Sequence, residues 1–266
     1  MLKCGIRFFE DTGKGRIING RAVLPVYKYP WIVSSLLERK MNSCGGALIS
    51  ANFVLTAAHC LFRKDLTNHP LCFASRVHRS CFHDPKDAHL HLVGSDPSKS
   101  LNAQRIIGHP KYSFRWDIND IALIQLSTPV ECSKKIMPIC LPDRNFEKLD
   151  QKLMIAGSGY NTPEGTRGRH LLREGLVKVV DPNLCRLHYH SKDFNRTIIC
   201  IVAAGQVPCH GDSGSAMFGY FEKHYYALGI TSTASTNLCD TPDTFTKVYT
   251  FLDWIKLYVD LPKPSK

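Results

Sequence analysis

The stretch GGALISANFVLTAAHC, from Gly45 to Cys60, decides how the rest of the chain is read. Its apolar and β-branched residues come in short runs bounded by turn formers, the pattern of strands rather than helices. The same texture recurs in WIVSSLLE from Trp31, DIALIQL from Asp120, KLMIAG from Lys152, EGLVKVV from Glu174 and YYALGITS from Tyr225. Helical spacing is absent until TFLDWIKLYV. There Thr250 and Asp253 form a capping-box pattern ahead of Phe251, Trp254, Ile255 and Tyr258 on one helical face. The expected class is all-β with a C-terminal helix.

With 266 residues, 44% of them hydrophobic and 21% charged, the chain is long enough to bury one large β core or two smaller ones. Two packed halves are expected. Eleven cysteines without a CxxC pair argue against a reduced cytosolic enzyme and for a secreted, disulfide-bonded protein. The opening MLKCGIRFFEDTG has no apolar core of signal-peptide length, so a secretory leader is expected outside this chain. No apolar run reaches the length of a membrane span. The net charge of +11 favours acidic glycans or anionic surfaces, yet no block of like charges and no nucleic-acid-binding motif stands out.

The residues that carry chemistry begin with CHGDSGSAMF, Cys209 to Phe218. Asp, Ser and Gly fill any tight turn, so Ser213 alone is weak evidence. As a nucleophile its hydroxyl needs a base within reach and a third group to orient that base. LTAAHC supplies His59, with a pKa near working pH, and NDIALIQL supplies Asp120, a carboxylate able to fix the imidazole tautomer. The N–H groups of Gly211 and Ser213 can then face the oxygen that turns negative in a tetrahedral intermediate. Asp117 is the weaker carboxylate, because Asp120 directly precedes the apolar run IAL.

RIINGRAV, YPWIVSSL, CGGALISANFVLTAAHC, NDIALIQL, CHGDSG and TKVYTFLDWI stand in the order and approximate spacing of one family. Over about Arg16 to Val259 the chain resembles the chymotrypsin-like, trypsin-fold serine proteases. The order His, Asp, Ser separates it from subtilisin-like and α/β-hydrolase arrangements, and GDSGS lacks the last glycine of the GxSxG elbow. The resemblance implies two antiparallel six-stranded β-barrels with the site between them. The expected divisions are a propeptide remnant over 1–16, an N-terminal barrel over 17–130 and a C-terminal barrel with the terminal helix over 131–266.

It further implies a monomeric secreted endopeptidase that needs no cofactor, acts on proteins or peptides and is bound by protein protease inhibitors. The chain would be a zymogen, activated by cleavage after Arg16 so that the new amino group of Ile17 inserts beside Asp212. By family position Cys44 pairs with Cys60, Cys185 with Cys200 and Cys209 with Cys239. Cys4 resembles a propeptide cysteine tethered at Cys132. The usual partner position of Cys140 is occupied by Gly219, which leaves Cys140 free unless it takes Cys4 instead.

Cys72 and Cys81 lie outside that framework and are expected to close a local loop. They sit in the least regular region, 61–91, which reads as an enlarged surface loop walling the cleft. Its histidines, His69, His78, His83, His89 and His91, fit no standard zinc spacing, and the segment from Gly94 to His109 lacks acidic calcium ligands. No metal is expected. Asn195-Arg196-Thr197 is an N-glycosylation sequon.

Selectivity departs from the family pattern. Val207 stands where trypsin itself carries the aspartate of the pocket floor, while Asp243 replaces a wall glycine. A carboxylate in an apolar pocket calls for a cation, so Lys or Arg alongside large apolar residues is the expected preference. His210 flanks the mouth, and the substrate-binding strand reads Ser232-Thr233-Ala234 instead of Ser-Trp-Gly. The competing readings are a binding protein on a silent protease fold and a His-rich metal or glycan binder, because fold does not settle function.

Overall fold

The computed structural model describes residues 3–9, 21–35, 44–96, 98–116, 118–159, 172–188, 194–204, 212–234 and 242–264. In chain order the elements are β1 (Arg21–Ala22), β2 (Ile32–Ser35), β3 (Gly46–Leu48), β4 (Phe53–Thr56), the single turn α1 (Pro70–Phe73), β5 (His89–Leu92), β6 (Leu101–Gly108) and β7 (Ala122–Leu126). The second half holds β8 (Lys152–Gly157), β9 (Arg173–Val180), α2 (Phe194–Thr197), β10 (Ile198–Ala203), β11 (Ala216–Phe221), β12 (His224–Ala234), β13 (Asp243–Lys247) and α3 (Leu252–Lys256).

Both halves close. β2-β3-β4-β7-β6-β5 form one antiparallel barrel, and β9-β10-β13-β12-β11-β8 form a second through the β8–β9 pairing. Period-two alternation fills the second barrel, with Val177 and Val179 of β9 and Ile199 and Ile201 of β10 facing Met217, Leu228 and Phe245. Between the halves, Tyr29 and Trp31 pack on Phe218 at ring-centroid distances of 4.9 and 5.4 Å. Such edge-to-face contacts add roughly 0.5–1.5 kcal/mol each beyond burial.

The ends of the chain cross over between barrels. β1 pairs with β9, Arg21 opposite Glu174 and Ala22 opposite Arg173, so these residues lie on the second barrel although they fall within the 17–130 span expected for the first. The cause is polar: buried Lys28 donates to both oxygens of Glu174 at 2.8 and 2.7 Å, and Tyr29 Oη donates to Oε2 at 2.6 Å. Conversely, Phe251, Trp254, Ile255 and Val259 at the C-terminus share one apolar cluster with Leu55, Ile121 and Leu123 of the first barrel. The capping box does not form, because Thr250 Oγ1 donates to the Arg196 carbonyl at 2.6 Å.

Disulfides join Cys44–Cys60, Cys72–Cys81, Cys185–Cys200 and Cys4–Cys140. The expected Cys4–Cys132 bond is replaced, and Cys132 is a free, partly exposed thiol. Two backbone bonds dictate the exchange: Gly5 N–H donates to the Pro138 carbonyl, and Tyr225 N–H to the Gly5 carbonyl, each at 2.8 Å. They lay Cys4 into the second barrel beside Cys140, with both cysteines buried. Cys209 and Cys239 lie outside the described residues.

The region 61–91 is more ordered than a surface loop. Phe62 and Phe82 form a β-bridge and pack with Tyr112 and Phe114, the Phe62–Phe114 rings stacked at 5.2 Å. Its end, His89–Leu92, is barrel strand β5 rather than loop. Among the described residues no helix is long and apolar enough to cross a membrane.

Candidate active site

The site assembles where the two barrels meet. His59 sits in a 3-10 turn after β4, and Cys60 in that same turn is bonded to Cys44. Asp120 ends the connection from β6 to β7 and is fully buried. Asn119 before it has φ of 54°, a left-handed conformation that Asn tolerates better than most residues. The Ile121 N–H donates to the Asn119 carbonyl at 2.8 Å, which closes a tight turn about Asp120.

That turn aims the Asp120 carboxylate at His59. Oδ2 lies 2.7 Å from the ring Nδ1, and Oδ1 accepts the His59 backbone N–H at 2.8 Å. Ser232 Oγ donates to Oδ2 at 2.6 Å, and Thr246 Oγ1 donates to the Asp120 carbonyl at 2.9 Å. Burial opposes the charge on Asp120, yet His59 and these hydrogen bonds hold its carboxyl below the ordinary range. An ionised carboxylate there fixes the proton on Nδ1 and puts the basic lone pair on Nε2.

Ser213 occupies the turn before β11. The turn is clamped from both barrels: Gly45 N–H donates to the Ser213 carbonyl at 2.8 Å, and Gly214 N–H to the Thr231 carbonyl at 2.9 Å. Gly214 has φ of 78°, and a Cβ there would collide with Thr56 Oγ1 and the Gly45 carbonyl, so only glycine fits. The same Cβ position stands 3.2 Å from Cys60 Sγ, while His59 Nε2 lies 3.6 Å from that sulfur. The Cys44–Cys60 bond is therefore the common seat of the serine turn and the histidine ring. Among the described residues the Ser213 hydroxyl and N–H make no hydrogen bonds, which leaves the N–H able to receive an oxyanion. Nucleophile–base hydrogen bonds are commonly loose before substrate arrives.

Asp212 turns the other way. Its Oδ1 accepts the Gly159 N–H at 2.9 Å, in a niche so close that a Cβ on Gly157 or Gly159 would meet the carboxylate. Asp243 is buried at the start of β13, opposite Ile201 and Ala234, with Ser232 on the adjacent strand. Thr233 and Ala234 complete β12. Arg16, Ile17, Val207, His210 and Gly211 lie outside the described residues. Asn195 is exposed on α2.

A protein-family model described as Trypsin matches residues 17–255. The chain belongs to the trypsin family. Over 248 residues it is 33% identical to phenoloxidase-activating factor 3 of Holotrichia diomphalia, covering 86% of this chain and 68% of that one. Over 249 residues it is 29% identical to vitamin K-dependent protein C of Oryctolagus cuniculus, covering 87% of this chain and 50% of that one. It thus spans about two thirds of the first relative and half of the second.

In this trypsin-family chain the motifs brought forward His59, Asp120 and Ser213, but not the supports. Asn119, Thr246 and the His59 N–H act on Asp120 from three separate segments. Only Asn119 carried a local signal, as a left-handed-tolerant residue beside an acidic one.

Proposed function

We propose that this chain is a secreted serine endopeptidase, made as a zymogen and switched on by cleavage after Arg16. The observation that carries the reading is the double hold of Asp120 on His59 beside the glycine-clamped Ser213 turn. Ser213 Oγ attacks the carbonyl carbon of the scissile bond while its proton passes to His59 Nε2. The oxyanion faces the N–H groups of Ser213 and Gly211, each such donor contributing about 10²–10³ in rate. Collapse expels the amine, which takes the proton from His59, and leaves an acyl-enzyme. Water, deprotonated by His59, then releases the acid and restores Ser213.

Activation rests on Asp212. The niche that receives its carboxylate at Gly159 is compatible with an inserted Ile17 ammonium, a pairing better suited to a switch than to net stability. The segment 1–16 is the propeptide remnant, joined to the catalytic part through Cys4–Cys140.

Selectivity follows from the neutral Val207 floor and the buried Asp243 carboxylate on the wall, which favour Lys or Arg with tolerance for large apolar side chains. His210 borders the mouth, Ser232-Thr233-Ala234 runs along the bound peptide, and the 61–91 region beside His59 restricts access. Protein substrates and protein protease inhibitors are the partners, with acidic glycans drawn by the +11 charge. The enzyme acts as a monomer, with an N-glycan on Asn195.

Peptide-library hydrolysis by the chain cut after Arg16 tests this. Cleavage after Lys and Arg is expected, lost in Ser213→Ala and broadened in Asp243→Gly. A folded, cut protein that hydrolyses nothing would be a silent homologue acting as a binding protein.

A further inference from the structure

The tip of the inserted region presents an unusual surface. Leu71 is 47% exposed and Phe73 51% exposed on the single turn α1. From Leu66 to His83 the sequence contains no acidic residue, and Arg76 and Arg79 are exposed with no carboxylate partner among the described residues. Arg63 differs, because Asp65 neutralises it at 2.7 Å.

The tip is held rigidly. Cys72–Cys81 closes the loop, the His78 N–H donates to the Leu71 carbonyl at 3.2 Å, and the Val77 N–H donates to the Pro110 carbonyl at 2.8 Å. Buried Val77 and the Phe62–Phe82 bridge anchor its base, and the Arg63 N–H donates to the Cys81 carbonyl at 2.8 Å. Apolar and cationic groups are thus displayed together on a backbone already ordered before binding. Such a preorganised mixture of aromatic and arginine side chains has the composition of a recognition surface.

We propose that Leu71, Phe73, Arg76 and Arg79 form a docking surface for an acidic segment bearing apolar side chains on a protein partner. The chemistry selects the occupant. A sulfated glycan would satisfy the arginines and leave Leu71 and Phe73 without a purpose, and a second copy of a chain carrying +11 would be repelled. Carboxylates on the two arginines and an apolar residue over Phe73 satisfy every group displayed.

The probe is a fluorescent, end-blocked dodecapeptide of alternating Glu and Phe or Leu, titrated with the full chain and read by anisotropy. A Ser213→Ala background prevents its hydrolysis. Saturable binding is expected, weakened about tenfold by Phe73→Ser and again by Arg76→Glu or Arg79→Glu. Leu71→Ser reads the same apolar contribution should Phe73→Ser fail to fold. Lys263→Glu, the same charge change on the C-terminal segment, should leave binding unchanged. Three results would overturn the proposal: no saturable binding, equal weakening by Lys263→Glu, or dependence on Arg76 and Arg79 alone. The last, with heparin-derived oligosaccharide binding more tightly than the peptide, would make the tip a glycan site.

Discussion

Asp120 grips His59 at two points, its Oδ2 2.7 Å from the ring Nδ1 and its Oδ1 on the backbone N–H at 2.8 Å. The backbone bond sets the position of the residue, and the ring bond sets its tautomer. Asp120→Asn keeps the shape but presents an amide that favours the wrong tautomer. Steady-state kinetics on the protein cut after Arg16 should show kcat down about 10⁴-fold with KM little changed. A large rise in KM at constant kcat would place Asp120 in substrate binding instead.

Lys28 and Glu174 are a buried ion pair joining the approach to the first barrel with β9 of the second. Removing one partner breaks two charge-assisted hydrogen bonds in the interior. Glu174→Ala should cost about 3–5 kcal/mol in urea unfolding, because the buried Lys28 ammonium loses its hydrogen bonds to both carboxylate oxygens. The triple variant Lys28→Met/Tyr29→Phe/Glu174→Leu should recover most of that loss. If single and triple variants lose equally, the site matters for packing and not for charge.

His109 lies between Phe251 and Trp254, each ring centroid 5.1 Å away, at the contact between the C-terminal helix and the connection to Asp120. Burial, aided by Lys111, lowers its pKa to about 4. From pH 6.5 down to about 4 the unfolded chain takes up a proton that the native state refuses, so native stability falls as the pH drops. The contribution reaches roughly 3 kcal/mol at the low end and vanishes above pH 7. His109→Gln should flatten that part of the stability profile, and an unchanged slope would assign it to other groups.

The path from sequence to fold was clearest where apolar runs are continuous. FVLT in β4 and ALIQL in β7 are almost wholly buried and legible as strands. LNAQRIIG in β6 and DTFTK in β13 carry too many polar residues for an apolar run to mark them, and one of these, Thr246, is fully buried and donates to the Asp120 carbonyl. HLHL in β5 was hidden by two histidines on its more exposed face. At the candidate site the motifs named His59, Asp120 and Ser213, and the structure pairs the first two. Their geometry depends on contacts more than a hundred residues apart, as Ser232 and Thr246 with Asp120 illustrate, and no local pattern encodes those. The choice of Cys140 over Cys132 was likewise made by the backbone bonds of Gly5 rather than by cysteine spacing.

That cysteine exchange has a covalent consequence. After cleavage at Arg16, the 1–16 fragment should stay with the catalytic part on a non-reducing gel and separate on a reducing one. Cys140→Ser should release it without reductant, whereas Cys132→Ser should not. The opposite pattern would restore the Cys4–Cys132 bond.

The most direct measurement is labelling by a serine-directed fluorophosphonate before and after cleavage at Arg16. Stoichiometric labelling of the cut protein at Ser213 is expected, with weak labelling of the uncut chain and none in Ser213→Ala or His59→Ala. Cut, folded protein that takes no label, or label that persists in Ser213→Ala, would contradict it.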